Sequence, residues 1–377
     1  MPASYRPKND KTKFLVTFDY GVNPITKERD REFKTVYSKK EAQRLVDEHN
    51  YNEGRGMLMQ LNKKTLGEHL EDWLAIYVSK ACEKTTLSSY KNIIYNHIIP
   101  KLGHIKLKDL RVIHLDEYYT YLSDEKHLSE NTRVRHHAVI RKALDMALKQ
   151  QLIPQNIADS ATRPKERRSK IGKSYTIEEL KKLLSLVKGT KLEVTVYLGV
   201  FLGLRRGEIA GLKWENIDFD KKEVRIRHIR TASGDDNDIK KAPKTKGSNR
   251  RLSLTPELID VLQAQKQWQT NQQKKLGKLY DNREGYVVVK EDGRPYRVNY
   301  GSEQFTRFVK MHDLPKIRLH DLRHTFAILM YMKTKDVYVV SKMLGHSDIT
   351  TTTNIYLHSL DSNYKEELSL MSEILAG

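Results

Sequence analysis

Cysteine is almost missing from this sequence, and long apolar runs are missing altogether. A single cysteine, Cys82, among 377 residues excludes an internal disulfide and a thiolate-rich zinc site. No stretch is long and apolar enough for a membrane span, and the sequence shows no signal peptide or terminal lipidation motif. We therefore expect a soluble, cytoplasmic protein that has no membrane partner.

Acidic residues are also in short supply. The chain has 48 Asp and Glu residues against 68 Lys and Arg residues, which leaves a formal net charge of +20. A positive surplus of this size bears on binding partners rather than on the fold. It favours nucleic acid as the partner, and an anionic membrane surface is the alternative.

The pattern of apolar residues divides the chain into three domains and a basic linker. Residues 1–55 predict a small β-β-β-α module, because apolar and polar residues alternate in its first strands. Residues 64–160 are expected to be helical throughout, and residues 175–377 to form a mixed α+β domain with a C-terminal tail. Residues 161–174 form the basic linker. The expected fold class is multidomain, mainly α with small β elements.

Local signals predict where several helices begin and end. In the helical region, Thr85 or Thr86 is the expected cap of a helix that stops at Pro100. In the third domain, Thr176 begins a helix through a capping box. Gly345 is expected to end a later helix, because glycine adopts the left-handed conformation found just after a helix.

Residues 319–327 bring two histidines and an arginine onto one short segment. If the segment is helical, His320, Arg323 and His324 share a face, because they are spaced i, i+3 and i+4. Imidazole and guanidinium groups together suit an oxyanion such as phosphate. The alternative is a zinc hydrolase that uses His320 and His324, but its motif requires a glutamate where this chain has Asp321.

Four other positions extend this group. Arg205 follows a Gly-Leu pair, with Glu208 three residues later. His346 follows Leu-Gly, and Tyr356 stands ten residues after it. A phosphodiester resists attack because its oxygens are already anionic, so a catalyst must supply positive charge and hydrogen-bond donors. These residue types can supply both.

Each side chain can be given a role in an attack on phosphate. Arg205 and Arg323 each offer paired donors in a fixed fork, and His320 and His346 add hydrogen bonds. Tyr356 can serve as a nucleophile that forms a covalent link, and His320 is the candidate base that activates it. No metal or other cofactor is needed, because the arginines supply the positive charge.

Roles for Lys244 and Glu208 complete the expected chemistry. Lys244 lies in the polar stretch 231–249, which follows a predicted strand at 223–230 and is expected to form the long tip of a β-hairpin. A lysine on a mobile hairpin is a candidate general acid for the leaving hydroxyl. Glu208 is expected to orient Arg205 or a neighbouring residue from behind.

In this order and at these spacings, the motifs resemble those of the tyrosine recombinase family, in particular phage-type and conjugative-transposon integrases. The motifs are Gly-Leu-Arg205-Arg-Gly-Glu208, Lys244-Thr, His320-Asp-Leu-Arg323-His, Leu-Gly-His346-Ser and Tyr356. The resemblance implies an arm-binding module, a core-binding helical domain and a catalytic domain. It also implies a site-specific recombinase that joins Tyr356 to a 3′-phosphate and exchanges strands through a Holliday junction.

The resemblance implies partners as well. They are double-stranded DNA with core and arm sites, three further copies of the chain in a tetramer, and an excisionase and a host DNA-bending protein in a bacterial cell. Within the helical domain, Ser89, Lys91, Thr132 and Arg135 are candidate DNA contacts, although an ordinary solvated face is the alternative for each.

Two other classes of protein share some of these features. A non-catalytic DNA-binding regulator would explain the charge and the helical domain, but it would not need six candidate catalytic residues. A type IB topoisomerase would share the chemistry, but it would not need the N-terminal module.

Overall fold

The computed structural model describes residues 3–8, 12–22, 29–54, 64–165, 173–233, 236–240, 249–346, 348–350 and 352–353. The chain divides into two compact units, Met1–Arg168 and Ser169–Gly377. Among the described residues, none of the helices combines the length and the apolar character needed to cross a bilayer. Mainly helical structure with small antiparallel sheets is the predicted fold class, and the structure confirms it.

The first unit begins with a three-stranded antiparallel sheet and one helix. The strands are β1 (Ser4–Pro7), β2 (Phe14–Val22) and β3 (Arg29–Val36), in that order in the sheet, followed by α1 (Lys39–Gly54). Val16 and Val36 from the strands pack with Ala42 and Val46 from the helix. The β-β-β-α succession expected from the sequence is confirmed.

Helices make up the rest of this unit. They are α2 (Leu66–Asp72), α3 (Ser79–Ala81), α4 (Lys84–Ile93), α5 (Ile99–Leu102), α6 (Val112–Asp124) and α7 (Glu130–Lys149), with π-helical segments at Trp73–Val78 and Ile94–Ile98 and 3₁₀ turns at Leu107–Asp109 and Ile157–Asp159. Their apolar stripes meet in one core, where Leu70, Ile94, Leu115, Ile140 and Leu144 are fully buried.

Both predicted ends of the helix before Pro100 were wrong. Glu83, rather than Thr85 or Thr86, is the residue before α4. Pro100 lies in the first turn of α5, so the helical path continues to Leu102. Proline has no N–H and clashes with the carbonyl one turn earlier in a regular α-helix, and here the π-helical segment Ile94–Ile98 stands directly before α5.

Two buried histidines of the helical region, His136 and His137, are each hydrogen-bonded to a tyrosine. The hydroxyl of Tyr118 is 2.8 Å from Nδ1 of His136, and the hydroxyl of Tyr119 is 2.8 Å from Nδ1 of His137. The ring of His97 packs edge-on against His136, with 5.0 Å between ring centroids. Buried polar groups are tolerated when they are hydrogen-bonded in this way.

The second unit combines helices with small sheets. Its elements are α8 (Ile177–Val187), α9 (Glu193–Leu202), α10 (Arg206–Gly211), β4 (Ile217–Asp218), β5 (Glu223–Ile226), β6 (Ile229–Ser233), β7 (Asp236–Lys240), β8 (Arg250–Ser253), α11 (Pro256–Leu276), α12 (Tyr300–Met311), α13 (Asp321–Thr334) and α14 (Val337–Leu344), with further 3₁₀ turns at Trp214–Asn216 and Gly277–Leu279. Strands β4, β5 and β8 form one antiparallel sheet, and β6 and β7 form a separate hairpin.

Helix α9 is the central element of this unit and packs against both α11 and α13. Most of its side chains are buried, as expected for a helix that is apolar all round. The capping box of α8 is present, with Thr176 and Glu179 bonded reciprocally. Gly345 ends α14 at φ 66°, so both of these predicted helix boundaries are confirmed.

The strand predicted at 223–230 is two strands in two different sheets. Strand β5 stops at Ile226, and β6 begins at Ile229. Between them the chain passes Gly211 of α10, where a Cβ would lie only 2.9 Å from the carbonyl oxygen of His228. The polar stretch 231–249 is also not one long tip, because β6 and β7 pair within it.

Candidate active site

The turn between α9 and α10 sets the position of Arg205. Gly203 ends α9 in the left-handed conformation, at φ 59°, and a Cβ there would lie 2.6 Å from the ring of Phe326. The chain therefore turns sharply, and Arg205 becomes the residue that precedes α10. Its side chain keeps 34% of its surface exposed, so solvent can reach it.

Glu208 holds Arg205 from the first turn of α10. One carboxylate oxygen accepts from the backbone N–H of Arg205 at 2.9 Å, and the other accepts from its Nη1 at 2.8 Å. The Glu208 side chain itself is fully buried. The sequence-based expectation that Glu208 lies behind Arg205 agrees with these contacts, although its role in a reaction stays a prediction.

Arg323 comes from α13 and is almost fully buried, with 3% of its surface exposed. Its Nη1 donates to the carbonyl of Gly203 at 2.7 Å, and its Nη2 donates to the carbonyl of Leu344 at 2.6 Å. Nη1 also lies 3.9 Å from the carboxylate of Glu208. Residues that are far apart in the chain thus meet at one point.

Arg250 is a member of this cluster that the sequence reasoning missed. It lies on β8 and pairs with both carboxylate oxygens of Glu208, at 3.1 and 3.0 Å. Its Nε donates to the carbonyl of Met343 at 2.6 Å. The sequence did contain a signal for this residue. Side chains alternate along a strand, so Arg250 lies on the same buried side as Leu252 and Leu254. An arginine on the apolar face of a strand requires a buried partner.

The three arginines also meet the end of α14. The carbonyls of Met343, Leu344 and Gly345 accept, in that order, from Arg250, Arg323 and Arg205. A helix leaves its last carbonyls without intrahelical donors, and its C-terminal end carries partial negative charge, so cations are favoured there. The residue that follows this anchored end is His346.

His346 is held by a threonine that the sequence reasoning also missed. Its Nδ1 lies 2.6 Å from Oγ1 of Thr352, which is fully buried. Desolvation, together with the charges of Arg323 and Arg205, lowers the pKa of His346 to about 3. The imidazole is therefore neutral near pH 7, and its other nitrogen, Nε2, can serve a ligand. The four-threonine run contains no local signal that distinguishes Thr352.

His320 stands at the start of α13, one turn before Arg323 and His324. Its ring meets that of His324 edge-on, with 5.1 Å between centroids. Desolvation and the neighbouring charges of His324 and Arg323 lower the pKa of His320 to about 4, although the residue keeps contact with solvent. Asp321, which stands where a zinc protease would have its glutamate, pairs with Arg318 at 2.7 Å.

The cluster carries a surplus of positive charge. Burial alone would raise the pKa of Glu208, but the hydrogen bonds and charge of Arg250, with the charges of Arg205 and Arg323, lower it to about 2. Desolvation and the charge of Arg205 lower the pKa of Arg323 to about 9, so it stays charged at neutral pH. Three guanidiniums and one carboxylate leave a net charge near +2, which suits an anionic ligand.

The remaining predicted site residues are not part of this described cluster. Lys244 and Tyr356 lie outside the residues that the structure describes. In the other unit, Ser89, Lys91 and Arg135 are exposed, as a DNA contact requires. Thr132 is half-buried in the first turn of α7, and its hydroxyl lies 2.8 Å from that of Ser129.

Comparison with known proteins places the chain among integrases. Residues 173–363 match the Phage integrase family, and residues 65–123 match the family's N-terminal SAM-like domain. The ICEBs1 integrase of Bacillus subtilis strain 168 is 29% identical over 98% of this chain and 99% of its own length.

Two solved structures have a similar fold. The Tn1549 transposon integrase in complex with a circular intermediate DNA has a TM-score of 0.67 at 21% identity, over 83% of this chain and 100% of that one. A lambda integrase tetramer bound to a Holliday junction has a TM-score of 0.55 at 17% identity, over 93% of this chain and 97% of that one.

Proposed function

The chain belongs to the phage integrase family, whose members cut and rejoin DNA to recombine mobile elements at specific sites, and we propose that its reaction runs through Tyr356. The observation that carries the proposal is the arginine cluster. Arg205 and Arg323 stand on different elements, yet both contact the region of Glu208 and the end of α14. Such a cluster is suited to neutralising the charge that develops on a phosphodiester under attack.

In the proposed cleavage step, the phenol oxygen of Tyr356 attacks the scissile phosphorus. A bond forms between that oxygen and phosphorus, and the bond from phosphorus to the 5′-oxygen breaks. The products are a 3′-phosphotyrosine and a 5′-hydroxyl, and the phosphorus keeps its oxidation state. Rejoining is the reverse attack by a 5′-hydroxyl from another strand, which restores the phenol. The bond energy is conserved in the covalent intermediate, so the reaction needs no high-energy cofactor.

The proton transfers of this step require side chains other than the nucleophile. Lys244 is the proposed general acid that gives a proton to the leaving 5′-oxygen. His320 is the proposed base for the phenol of Tyr356, in keeping with its low pKa and its contact with solvent. His346 is the proposed hydrogen-bond donor to a non-bridging oxygen through Nε2, since Thr352 occupies Nδ1.

The DNA-bound relatives bear on the assembly. Because the Tn1549 integrase is bound to DNA and the lambda integrase forms a tetramer on a Holliday junction, we propose that four copies of this chain act on two DNA sites. Residues 64–160 would bind the core site, with contacts from Ser89, Lys91, Thr132 and Arg135. Action on bacterial DNA implies a cytoplasmic location, and an excisionase and a host DNA-bending protein stay predicted partners.

Residues 1–55 are proposed to bind arm sites. The sheet face that carries Thr17, Phe33 and Thr35 is opposite the face that packs on α1. Phe33 exposes 60% of its surface there, and Arg31, exposed on the same face, is paired with Asp19. A rigid sheet that presents a basic and an aromatic side chain suits a DNA groove.

Trapping of the covalent intermediate tests the proposed reaction. A nicked suicide duplex loses a short strand after cleavage, so the phosphotyrosine cannot be reversed. We expect the wild type to yield a denaturation-resistant protein–DNA adduct and Tyr356→Phe to yield none. Tyr338→Phe is the matched control, because Tyr338 is an exposed tyrosine on α14 and should form the adduct at the wild-type rate. An adduct with Tyr356→Phe would refute the assignment of the nucleophile.

A further inference from the structure

We propose that Arg250 is a positioning residue for strand cleavage, acting through Glu208 and the end of α14 rather than on the phosphate. The inference rests on the proposed function and adds a residue to it. All three nitrogens of the Arg250 guanidinium already donate, to Glu208 and to the carbonyl of Met343, and the side chain is only 6% exposed, whereas that of Arg205 is 34% exposed. Of the two, Arg205 is thus placed to meet a ligand, and Arg250 is placed to support it from behind.

Glu208 is the group through which Arg250 acts. The carboxylate accepts four hydrogen bonds, two from Arg205 and two from Arg250. Arg250 therefore supplies half of the donors and part of the charge that a buried carboxylate requires. Without Arg250, the Glu208 carboxylate would attract Nη2 of Arg205 as well as Nη1. Arg205 would then lose its bond to Gly345, and its fork would turn away from the ligand side.

The charge of the cluster changes in the same direction. With Arg250, three guanidiniums and one carboxylate leave a net charge of about +2. Without it, two guanidiniums and one carboxylate leave about +1. A phosphorane-like transition state carries more negative charge than the ground state, so it loses more stabilisation than DNA binding does.

Arg250 also acts on the site through the end of α14. Nε of Arg250 donates to the carbonyl of Met343, three residues before His346. This bond ties β8 to the helix end whose next two carbonyls bond Arg323 and Arg205. Loss of the bond leaves a partly buried carbonyl without this donor and loosens the segment that directs His346. Both routes predict a loss of geometry at groups that would contact the phosphate.

Lysine cannot replace arginine in this position. Arg250 makes three directed bonds from one planar group, two to Glu208 and one to Met343. An ammonium is a compact point charge without the fixed fork, so it cannot hold both partners in the same geometry. Arg250→Lys therefore keeps the charge but removes the positioning, which makes it the most informative single variant.

The experiment compares two suicide duplexes at saturating concentrations. One carries the normal scissile phosphodiester, and the other carries a methylphosphonate, in which a neutral methyl replaces one charged oxygen. The variants are Arg250→Lys and Arg250→Met. The matched control is Arg230→Met, because Arg230 is also buried and donates to the carbonyls of Tyr296 and Ala210, at 2.9 and 3.5 Å, so its loss removes a buried arginine that bonds other groups. Thermal unfolding and DNA affinity are measured for each variant.

We expect both Arg250 variants to form the phosphodiester adduct about 10- to 100-fold more slowly, the range that a misplacement of about 1 Å can cause. DNA affinity should stay close to wild type. Arg250→Met also removes a positive charge, so adduct formation on the methylphosphonate should slow less than on the phosphodiester. The ratio of the methylphosphonate rate to the phosphodiester rate should therefore rise for this variant. Arg230→Met should lower stability and leave that ratio at the wild-type value.

A double-mutant cycle tests the route through Glu208. In a Glu208→Gln background, Arg250→Lys should slow cleavage by much less than in the wild type, because the carboxylate it serves is gone. Full additivity would overturn the inference. Wild-type cleavage by Arg250→Lys would also overturn it, as would equal loss on both substrates for Arg250→Met. The absence of any adduct with the wild type would instead refute the proposed function itself.

Discussion

We expect the protein to lose stability in mild acid because His136 is buried, and the burial of this residue determines how large the loss is. His136 is 1% exposed, its Nδ1 meets the hydroxyl of Tyr118, and the ring of His97 lies against it. Desolvation, followed by the charge of His97, lowers the pKa of His136 from 6.5 to about 4. The folded state therefore binds fewer protons than the unfolded state as the pH falls below 6.5.

The sign and the magnitude follow from proton linkage. The stability that depends on a neutral His136 is fully present above pH 6.5 and is lost as the pH falls toward about 4. The whole difference corresponds to about 3 kcal/mol, and about 2 kcal/mol of it is lost between pH 7 and pH 5. Burial also lowers the pKa values of His69, His97 and His137, so each adds in the same direction.

Urea unfolding of the full chain at pH 7, 6 and 5 measures this loss. The chain has three tryptophans, of which Trp73 lies in the helical core, stacked on Tyr90. A background with Trp214→Phe and Trp268→Phe makes Trp73 the reporter for that core. His136→Asn keeps an acceptor near Tyr118 but does not titrate. It should therefore lose about 2 kcal/mol less between pH 7 and pH 5 than the wild type does.

The control is His104→Gln, because His104 is exposed in the same unit. This variant should follow the wild-type pH dependence. If His136→Asn loses as much stability in acid as the wild type, the buried imidazole is not the acid-sensitive group.

Two further predictions concern the candidate site. Thr352→Val removes the hydrogen-bond partner of His346 Nδ1 and should slow adduct formation about tenfold. Thr353→Val is the control and should form the adduct at the wild-type rate. Equal rates for the two variants would contradict the role of Thr352. Gly203→Ala should lower the free energy of unfolding by more than the roughly 1–3 kcal/mol of backbone strain, because a Cβ there meets neighbouring side chains at 2.6 and 2.9 Å. Gly189→Ala, at φ 72° with open space around it, should show the strain alone, and equal losses in urea unfolding would count against tight packing at Gly203.

Local patterns were sufficient to predict much of the fold. Apolar periodicity predicts the helices of the first unit, because a helix in a small domain must bury one stripe. Caps such as Thr176 and Gly345 act on their own turn, so they can be read from neighbouring residues. The path through Pro100 could not be read in this way, because proline usually marks the end of a helix, whereas here a π-helical segment precedes it and the helical path continues.

The order of motifs was sufficient to predict the family and, from it, the expected catalytic residues. What the sequence did not reveal was the arrangement behind them. Glu208 meets Arg250, 42 residues away, and Arg205 meets Gly345, 140 residues away. No local pattern encodes such contacts, because they exist only when β8, α10, α13 and α14 pack together. A buried carboxylate needs several donors at once, and only the tertiary structure decided which arginines supply them.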